Sequence, residues 1–477
     1  MRYFLPLALF ICSGLLFAQA DKSATILKQL DAKTVHYGEL AHQIWELAEL
    51  GYKENQSSAL LQEELKQAGF TIEAGVADIP TAFVASYGSG KPVIGLLAEY
   101  DALPGVSQAA VPEKKAREGS QAGHACGHHL FGTASAASAI ALKDWLDSNG
   151  GSGTIRLYGT PAEEGGAGKV YMVRAGLFDD VDAVINWHPS DKNGASAGST
   201  LSNKSAKFRF YGVASHAAAA PQFGRSALDG VEAMNHMVNM MREHVPETTR
   251  IHHVITSGGE APNVVPAFAE VFYYVRHPQM QEVKNIFTRV VKAAEGAAMG
   301  TGTTMDFEVI HGSFNLLPNE TLTRVVHKHL EAVGGVTYNA EEEAFAKKIS
   351  ATLPKAKQFD LSTALTVQPF SAPKKPYSAS TDVGDVSWAV PTTALRTATW
   401  VPGTSPHSWQ AVAAGGTSIG TKGMMVAAKT MTLTGIEFFQ SPELLAKAKA
   451  ELDRRRGADF KYEALLGDRK PPLDYRD

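Results

Sequence analysis

Between Gly123 and His129 the chain gathers His124, Cys126, His128 and His129 into one short run, Gly-His-Ala-Cys-Gly-His-His. A thiolate and an imidazole two residues apart reach one metal cluster, and the Gly127 between them lets the backbone turn tightly. A single Cys-x-His pair arises easily by chance and more often marks a buried thiol beside surface histidines; the local density of imidazoles reverses that reading. The rival chemistry is a nucleophilic Cys126 with a histidine base. A second run, Thr160-Pro161-Ala162-Glu163-Glu164-Gly165-Gly166, sets two carboxylates side by side. Pointing different ways, one binds metal while the other takes a proton from a water that the metal activates. Adjacent glutamates are ordinarily a solvated surface pair, but His188 in Asn186-Trp187-His188-Pro189 supplies a matching ligand type. Gly403-Thr404-Ser405-Pro406-His407-Ser408-Trp409 carries one histidine in a loop punctuated by Gly and Pro, which by itself says only that His407 is exposed.

Four β-like stretches end in chemically loaded residues. Val93–Leu97 precedes Glu99-Tyr100-Asp101, Ile155–Tyr158 the glutamates, Ala183–Ile185 His188, and Thr393–Ala398 His407. Open α/β sheets bind ligands outside the carboxyl ends of their strands, so four separated segments are expected to assemble one site. The Ala-rich run Leu130–Trp145 suits a helix packed closely on that sheet. Ile26, Leu30, Leu40, Ile44 and Leu47 predict amphipathic helix over Ser23–Leu50, closed by Gly51. Between 205 and 315 the grammar changes: strands at Lys207–Val213, Ile251–Thr256, Glu270–Arg276 and Thr304–Ile310 alternate with helices at Ala227–Glu243 and Glu282–Ala298. That order, β-α-β-β-α-β, is ferredoxin-like. Because the α/β pattern resumes afterwards, the fold expected is a doubly wound, mostly parallel α/β sheet with an inserted α+β unit. Beyond Glu451, Arg454-Arg455-Arg456 and Lys470-Pro471-Pro472 read as a solvated helix end and an extended terminus.

A chain of 477 residues exceeds one ordinary core and predicts two domains. Hydrophobic content of 44% and charged content of 20% predict a folded protein. A net charge of −4 gives no reason to expect a polyanion, so nucleic acid is not an expected partner. Met1-Arg2-Tyr3, the apolar stretch Phe4–Phe17 and Ala18-Gln19-Ala20 read as a signal peptide over 1–20, too short for a spanning anchor. The mature chain is then periplasmic or secreted, with no membrane attachment. Cleavage discards Cys12 and leaves Cys126 alone, without an internal disulfide partner in an oxidising compartment.

Together these segments resemble the metallopeptidase and amidohydrolase family that includes aminoacylase, carboxypeptidase G and the plant auxin-conjugate amidohydrolases. The likeness runs through Glu99-Tyr100-Asp101-Ala102-Leu103-Pro104, His124–His128, Pro161–Gly165, Trp187-His188-Pro189, Ser380–Trp388 and Pro402–Trp409. It implies a dinuclear centre of two divalent ions per subunit, zinc or manganese, held by Cys126, His128, Glu164, His188 and His407, with Glu163 as general base. Metal coordination would explain how one thiol survives export. His129 stands where many relatives carry Asp, which leaves its role open. The insert resembles the family's dimerisation lid, which implies a homodimer in which His216 enters the partner's site to stabilise the oxyanion. Asn263 and Arg276 would hold the substrate, Arg276 by gripping a carboxylate bidentately; the alternative is an Arg276 paired with a nearby acid. The domains expected are catalytic over 21–204 and 316–477, with the lid over 205–315. The reaction implied is hydrolysis of the amide bond of a small peptide or of an N-acyl or N-aroyl amino acid of the p-aminobenzoyl-glutamate type. A Cys126-dependent hydrolase, a metal-bound binding protein without turnover and a metal-dependent phosphoesterase are the alternatives.

Overall fold

The computed structural model describes residues 22–476; the leader expected at 1–20 lies outside them. The central sheet contains β1 (Thr71–Ala74), β2 (Phe83–Ser89), β3 (Val93–Ala98), β4 (Gly153–Gly159), β5 (Ala183–Ser190) and β6 (Gly194–Ala195). Four strands, β7 (Ser202–Tyr211), β8 (Arg250–Ser257), β9 (Phe268–His277) and β10 (Thr304–Ser313), form a second sheet, and β11 (Thr392–Ala398) returns to the first. The central order is β1-β2-β4-β3-β5-β11-β6. Its middle strands β4, β3, β5 and β11 are parallel, as expected. β3 is buried at every position, as a strand covered on both faces must be. The edges β1, β2 and β6 run antiparallel. The links from β2 to β3 and from β5 to β6 are short turns without room for a crossover, so those strands reverse.

Two long helices press on the sheet. α2 (His128–Asn149) and α6 (Ser418–Gln440) are apolar almost all round, as buried helices are. Small residues bring them together, Thr432 Oγ1 donating to Ser138 Oγ at 3.2 Å. Trp187 Nε1 on β5 donates to the Phe131 carbonyl of α2 at 3.0 Å. Gly423 on α6 comes so near β11 that a Cβ would lie 2.4 Å from the Ala398 carbonyl oxygen, an approach that excludes any side chain.

The single helix expected over Ser23–Leu50 is two. Residues 22–32 are helical, Lys33 breaks the run, and α1 (Thr34–Leu47) follows. Thr34 Oγ1 donates to the Asp31 carbonyl where the helix restarts. α1 ends before Gly51 because Ala48 turns left-handed at φ 44° and its amide caps Ile44.

The second sheet has order β8-β9-β7-β10 and is antiparallel throughout, so β7 and β8 run parallel with β9 between them. That is the split β-α-β arrangement of a ferredoxin-like unit. Helices α4 (Ala227–Met241) and α5 (Met280–Thr301) form a core with Phe208, Tyr273, Val231 and Phe287. β8 is an open edge, exposed at most positions.

The stretch after α7 (Pro442–Arg456) corrects an expectation. The helix end is solvated at Arg454 and Arg455 as expected, but the terminus beyond it does not extend away from the body: Leu465 lies in the core of the four-stranded sheet and Leu466 in that of the central sheet. Two successive leucines pointing opposite ways each meet a different apolar core. Among the described residues, no helix is long and apolar enough to cross a membrane.

Candidate metal centre and active site

The backbone at the strand ends is held in unusual shapes. After β4 the loop carries Ala162 at φ 58° and Ala167 at φ 60°, conformations that cost an alanine of order 1 kcal/mol each. Buried carboxylates fix it: Glu54 Oε1 accepts from the Ala162 amide at 2.8 Å and Asp101 Oδ2 from the Glu164 amide at 2.9 Å. Gly127 sits at φ 80° with its Cα against Pro189, where a Cβ would lie 2.7 Å from the proline Cβ. Cys126 and His128 are thereby pressed onto the end of β5, which carries His188. His407 is itself left-handed at φ 60°, locked by its amide donating to the Ala125 carbonyl at 2.9 Å.

These constraints bring all five expected ligands together. The ligand atoms of Cys126, His128 and His188 lie within 4.8 Å of one another, and so do those of Cys126, Glu164 and His407. Cys126 belongs to both trios. Its Sγ is 3.3 Å from His188 Nε2, and Glu164 Oε1 is 3.0 Å from His407 Nε2. Glu164 Oε1 and His128 Nε2 are nonetheless buried without a hydrogen-bond partner. Facing donor atoms left unsatisfied, of thiol, imidazole and carboxylate type, fit a pair of divalent cations.

Burial, assisted by His128 and Arg396, pushes the His188 pKa down to about 3, which leaves a neutral imidazole with a lone pair to offer. Burial and then the Glu164 carboxylate push the Cys126 thiol well up, the opposite of what a free nucleophilic cysteine needs. A bound cation reverses that sign by stabilising the thiolate. Glu163 forms a third cluster with Glu99 and His128. Burial, then Glu99 and Glu164, raise its pKa well above the usual carboxylate range, the direction that favours a carboxyl able to hold a proton.

Several residues of this site carried no assigned role in the sequence reading. His128 sits between two acids, Nδ1 2.9 Å from Asp101 Oδ1 and Nε2 3.1 Å from Glu99 Oε2. Behind Glu99, the fully buried Lys169 on α3 (Gly168–Arg174) lies 2.7 Å from Glu99 Oε1 and 2.8 Å from Asp382 Oδ1. Burial works against its charge, but Asp382, Glu99 and Glu163 outweigh it and raise the pKa. Arg396 stands opposite His188 in the β5–β11 register, exposed, with no carboxylate in ion-pair range among the described residues. Glu99 and Asp101 were flagged by the strand before them; Lys169 and Arg396 lie in no motif that marks them. His129 is buried with Nε2 3.1 Å from the Gly415 carbonyl and its ring tilted against that of His124, so it anchors the start of α2.

His216, Asn263 and Arg276 do not converge. The first two share one end of the inserted sheet, where the Ala217 amide donates to the Asn263 carbonyl at 3.0 Å and both side chains are exposed. His216 Nδ1 accepts from the Ala218 and Ala219 amides. Arg276 lies at the other end of β9, opposite Asn203 on β7. At about 3.4 Å per residue, roughly 27 Å of strand separates Phe268 from Arg276. Arg276 has no acid partner among the described residues; it rests 5.4 Å from the Tyr274 ring centroid, and its buried Nε has no partner.

Residues 95–394 match the sequence pattern of peptidase family M20/M25/M40. The chain belongs to this family. It is 44% identical over 446 residues to one of the subunits of p-aminobenzoyl-glutamate hydrolase from Escherichia coli (strain K12), an alignment covering 88% of this chain and 93% of that one. The aminobenzoyl-glutamate utilization protein of Klebsiella pneumoniae shares the fold with a TM-score of 0.58 at 17% identity, covering 86% of this chain and 97% of that one. A dinuclear metal binding peptidase of the M20 family from Bacillus subtilis superposes with a TM-score of 0.55 at 18% identity, covering 86% and 99%. As an M20 member related to named amide hydrolases, the protein is a metallopeptidase-type hydrolase of carbon–nitrogen bonds. The resemblance carried by its motifs is thus a membership.

Proposed function

We propose that this M20 hydrolase is a dinuclear-metal amidohydrolase that releases an amino acid bearing a free carboxylate from an N-acyl or N-aroyl amide. The observation that carries this is the sharing of Cys126 between two ligand trios, His128 with His188 and Glu164 with His407. Two divalent ions bound there, zinc or manganese, would lower the pKa of a shared water and polarise the amide carbonyl. Glu163, not needed as a ligand, takes the proton of the attacking water and then gives it to the leaving nitrogen, acting as base and acid in turn. Asp101 fixes the His128 ring through Nδ1 and leaves Nε2 free to face a cation. The relative cleaving p-aminobenzoyl-glutamate supports an aroyl amide of that type as substrate. Arg276 and Arg396, both without acid partners among the described residues, offer guanidinium groups to its carboxylates.

In this reading His216 and Asn263, exposed together at one end of the insert, serve the site of a second copy of the chain. The exposed edge β8, with Val254 56% and Ile255 41% exposed, offers the surface for that pairing. In this reading 21–204 and 316–477 form the catalytic domain and 205–315 the dimerising lid, and a leader over 1–20 sends the enzyme to the periplasm or outside the cell. A Cys126 nucleophile acting without metal is the weaker reading, because burial raises its thiol.

Elemental analysis of the purified protein, combined with chelation and a screen of N-acyl and N-aroyl amino acids, tests the proposal. Activity on a carboxylate-bearing amide should vanish on metal removal and return with zinc or manganese. Full turnover by protein shown to be metal-free would overturn it.

A further inference from the structure

The segment 457–476 touches three parts of the molecule in succession. Near its start Tyr462 Oη donates to Asp385 Oδ1 at 2.8 Å, and Leu465 enters the core of the inserted sheet while Leu466 enters that of the central one. Next, the Arg469 guanidinium donates to the Val309 and Ile310 carbonyls at 2.7 and 2.6 Å and pairs with Glu308 at 3.1 Å. Those carbonyls are where β10 slips register against β7, between Val309 and His311. A bulge leaves backbone groups out of the ladder, and Arg469 satisfies them. The catalytic side grips the same stretch, Arg174 donating to the Gly467 and Arg469 carbonyls and Tyr171 to that of Lys470.

The segment then reaches the ligand loop. Tyr475 packs edge-on against Tyr52 with ring centroids 5.5 Å apart, and a Cβ on Gly51 would lie 2.1 Å from Tyr475 Oη, so only glycine admits the ring there. Tyr52 Oη donates to the Gly166 carbonyl at 2.7 Å. Arg476 Nη2 donates to the Glu164 carbonyl, which Tyr475 Oη also approaches at 3.4 Å. The loop of Glu163 and Glu164 is therefore held from below by Glu54 and Asp101 and from outside by this segment.

We propose that residues 457–476 form a coupling strap in which Tyr475 and Arg476 are positioning residues for the Glu164 carboxylate and Arg469 transmits the placement of the inserted sheet to them. The strap rests on the dinuclear reading, because its effect falls on the ion that Glu164 and His407 share with Cys126. The other ion, held by Cys126, His128 and His188, has no ligand on the strapped loop.

The test is a zinc and manganese titration of the full, chelator-stripped chain, with hydrogen exchange of the 163–167 amides followed in parallel. Arg476→Ala should weaken one of the two binding steps about tenfold, as loss of a charge-assisted hydrogen bond would, and leave the other unchanged. Arg476→Lys, which still donates, should recover most of that loss. Arg469→Ala, far from any ligand, should weaken the same step about threefold and speed exchange in 163–167. Two binding steps like the wild type's in Arg476→Ala, or a loss shared equally between them, would overturn the strap. If the wild-type chain bound no metal, the dinuclear reading would fall, and exchange alone would decide: faster exchange at 163–167 in both variants supports the strap, wild-type rates refute it. Should Arg469→Ala not fold, Arg476→Ala and Arg476→Lys decide the matter between them.

Discussion

Replacing Lys169 by Met removes a charge from a place with no water to substitute for it. The ammonium is fully buried, 2.7 Å from Glu99 and 2.8 Å from Asp382, both buried as well. Breaking a buried ion pair by deleting one partner costs about 3–5 kcal/mol, since the remaining charge is stranded, and here two carboxylates share the stranding. At about 2–4 °C per kcal/mol for a large domain, the metal-free variant should melt roughly 10 °C below the wild type at pH 7.5. Burial already raises the pKa of Glu99 and Asp382, and losing Lys169 raises both further. A carboxyl whose folded pKa exceeds its unfolded value keeps its stability below the unfolded pKa, near 4, and loses it as pH rises through the folded one. The gap between variant and wild type should therefore narrow as pH falls from 7.5 toward 4.5. Lys169 itself has a raised pKa, so its contribution in the wild type persists across this range and is lost only at strongly alkaline pH. Urea denaturation at the two pH values measures the gap, and Lys169→Met combined with Asp382→Asn should recover part of it. A difference below about 1 kcal/mol at pH 7.5, or one that does not shrink on acidification, would refute the account of a stranded charge.

Glu163→Gln should abolish turnover with metal content near wild type, whereas Glu164→Gln should lower metal content too; equal metal loss in both would mean that the two glutamates do not divide their tasks. Arg276→Ala should raise KM for substrates with a free carboxylate by about tenfold or more and leave their amides and esters nearly unaffected, as loss of a bidentate contact requires. Equal losses for both classes would make Arg276 structural. Mixing His216→Ala with Glu163→Ala subunits and letting them exchange should restore about one quarter of wild-type activity, because half the dimers are mixed and each has one competent site. Silence from a mixture of folded, exchanging, metal-loaded subunits would place His216 outside the partner's site.

The metal-ligand candidates were legible because each sits at or just past a strand end or a helix start, where local sequence sets both the chemistry and the turn. Cys126, Gly127 and His128 state their geometry within three residues, and the strands behind Glu164 and His188 announce themselves by apolar runs. The ferredoxin-like insert was legible for the same reason, its period switching between two and 3.6 in the right order. Lys169 was not, since one lysine in a short helix becomes informative only when Asp382, distant in sequence, is folded against it. Neither was the path of 457–476: alternate burial of Leu465 and Leu466 needs two cores to point at, and the second exists only in three dimensions. His216 lies just past β7 and Arg276 near the end of β9, yet their separation follows from strand length and sheet order, which the motifs do not encode.

The wide spacing of the ligands along the chain has a consequence for biogenesis. Cys126 and His188 are 62 positions apart, so the Cys126–His128–His188 trio is complete once β5 has been made. The other trio waits for His407, and the whole inserted sheet is synthesised in between. If the proposed pair of ions binds, a growing chain passes through a stage able to hold one ion but not two, with the thiol of Cys126 already engaged. On the dinuclear reading, occupancy of the second position would require that β11 and His407 have folded back against Cys126 and Glu164, which ties metal content to completion of the fold.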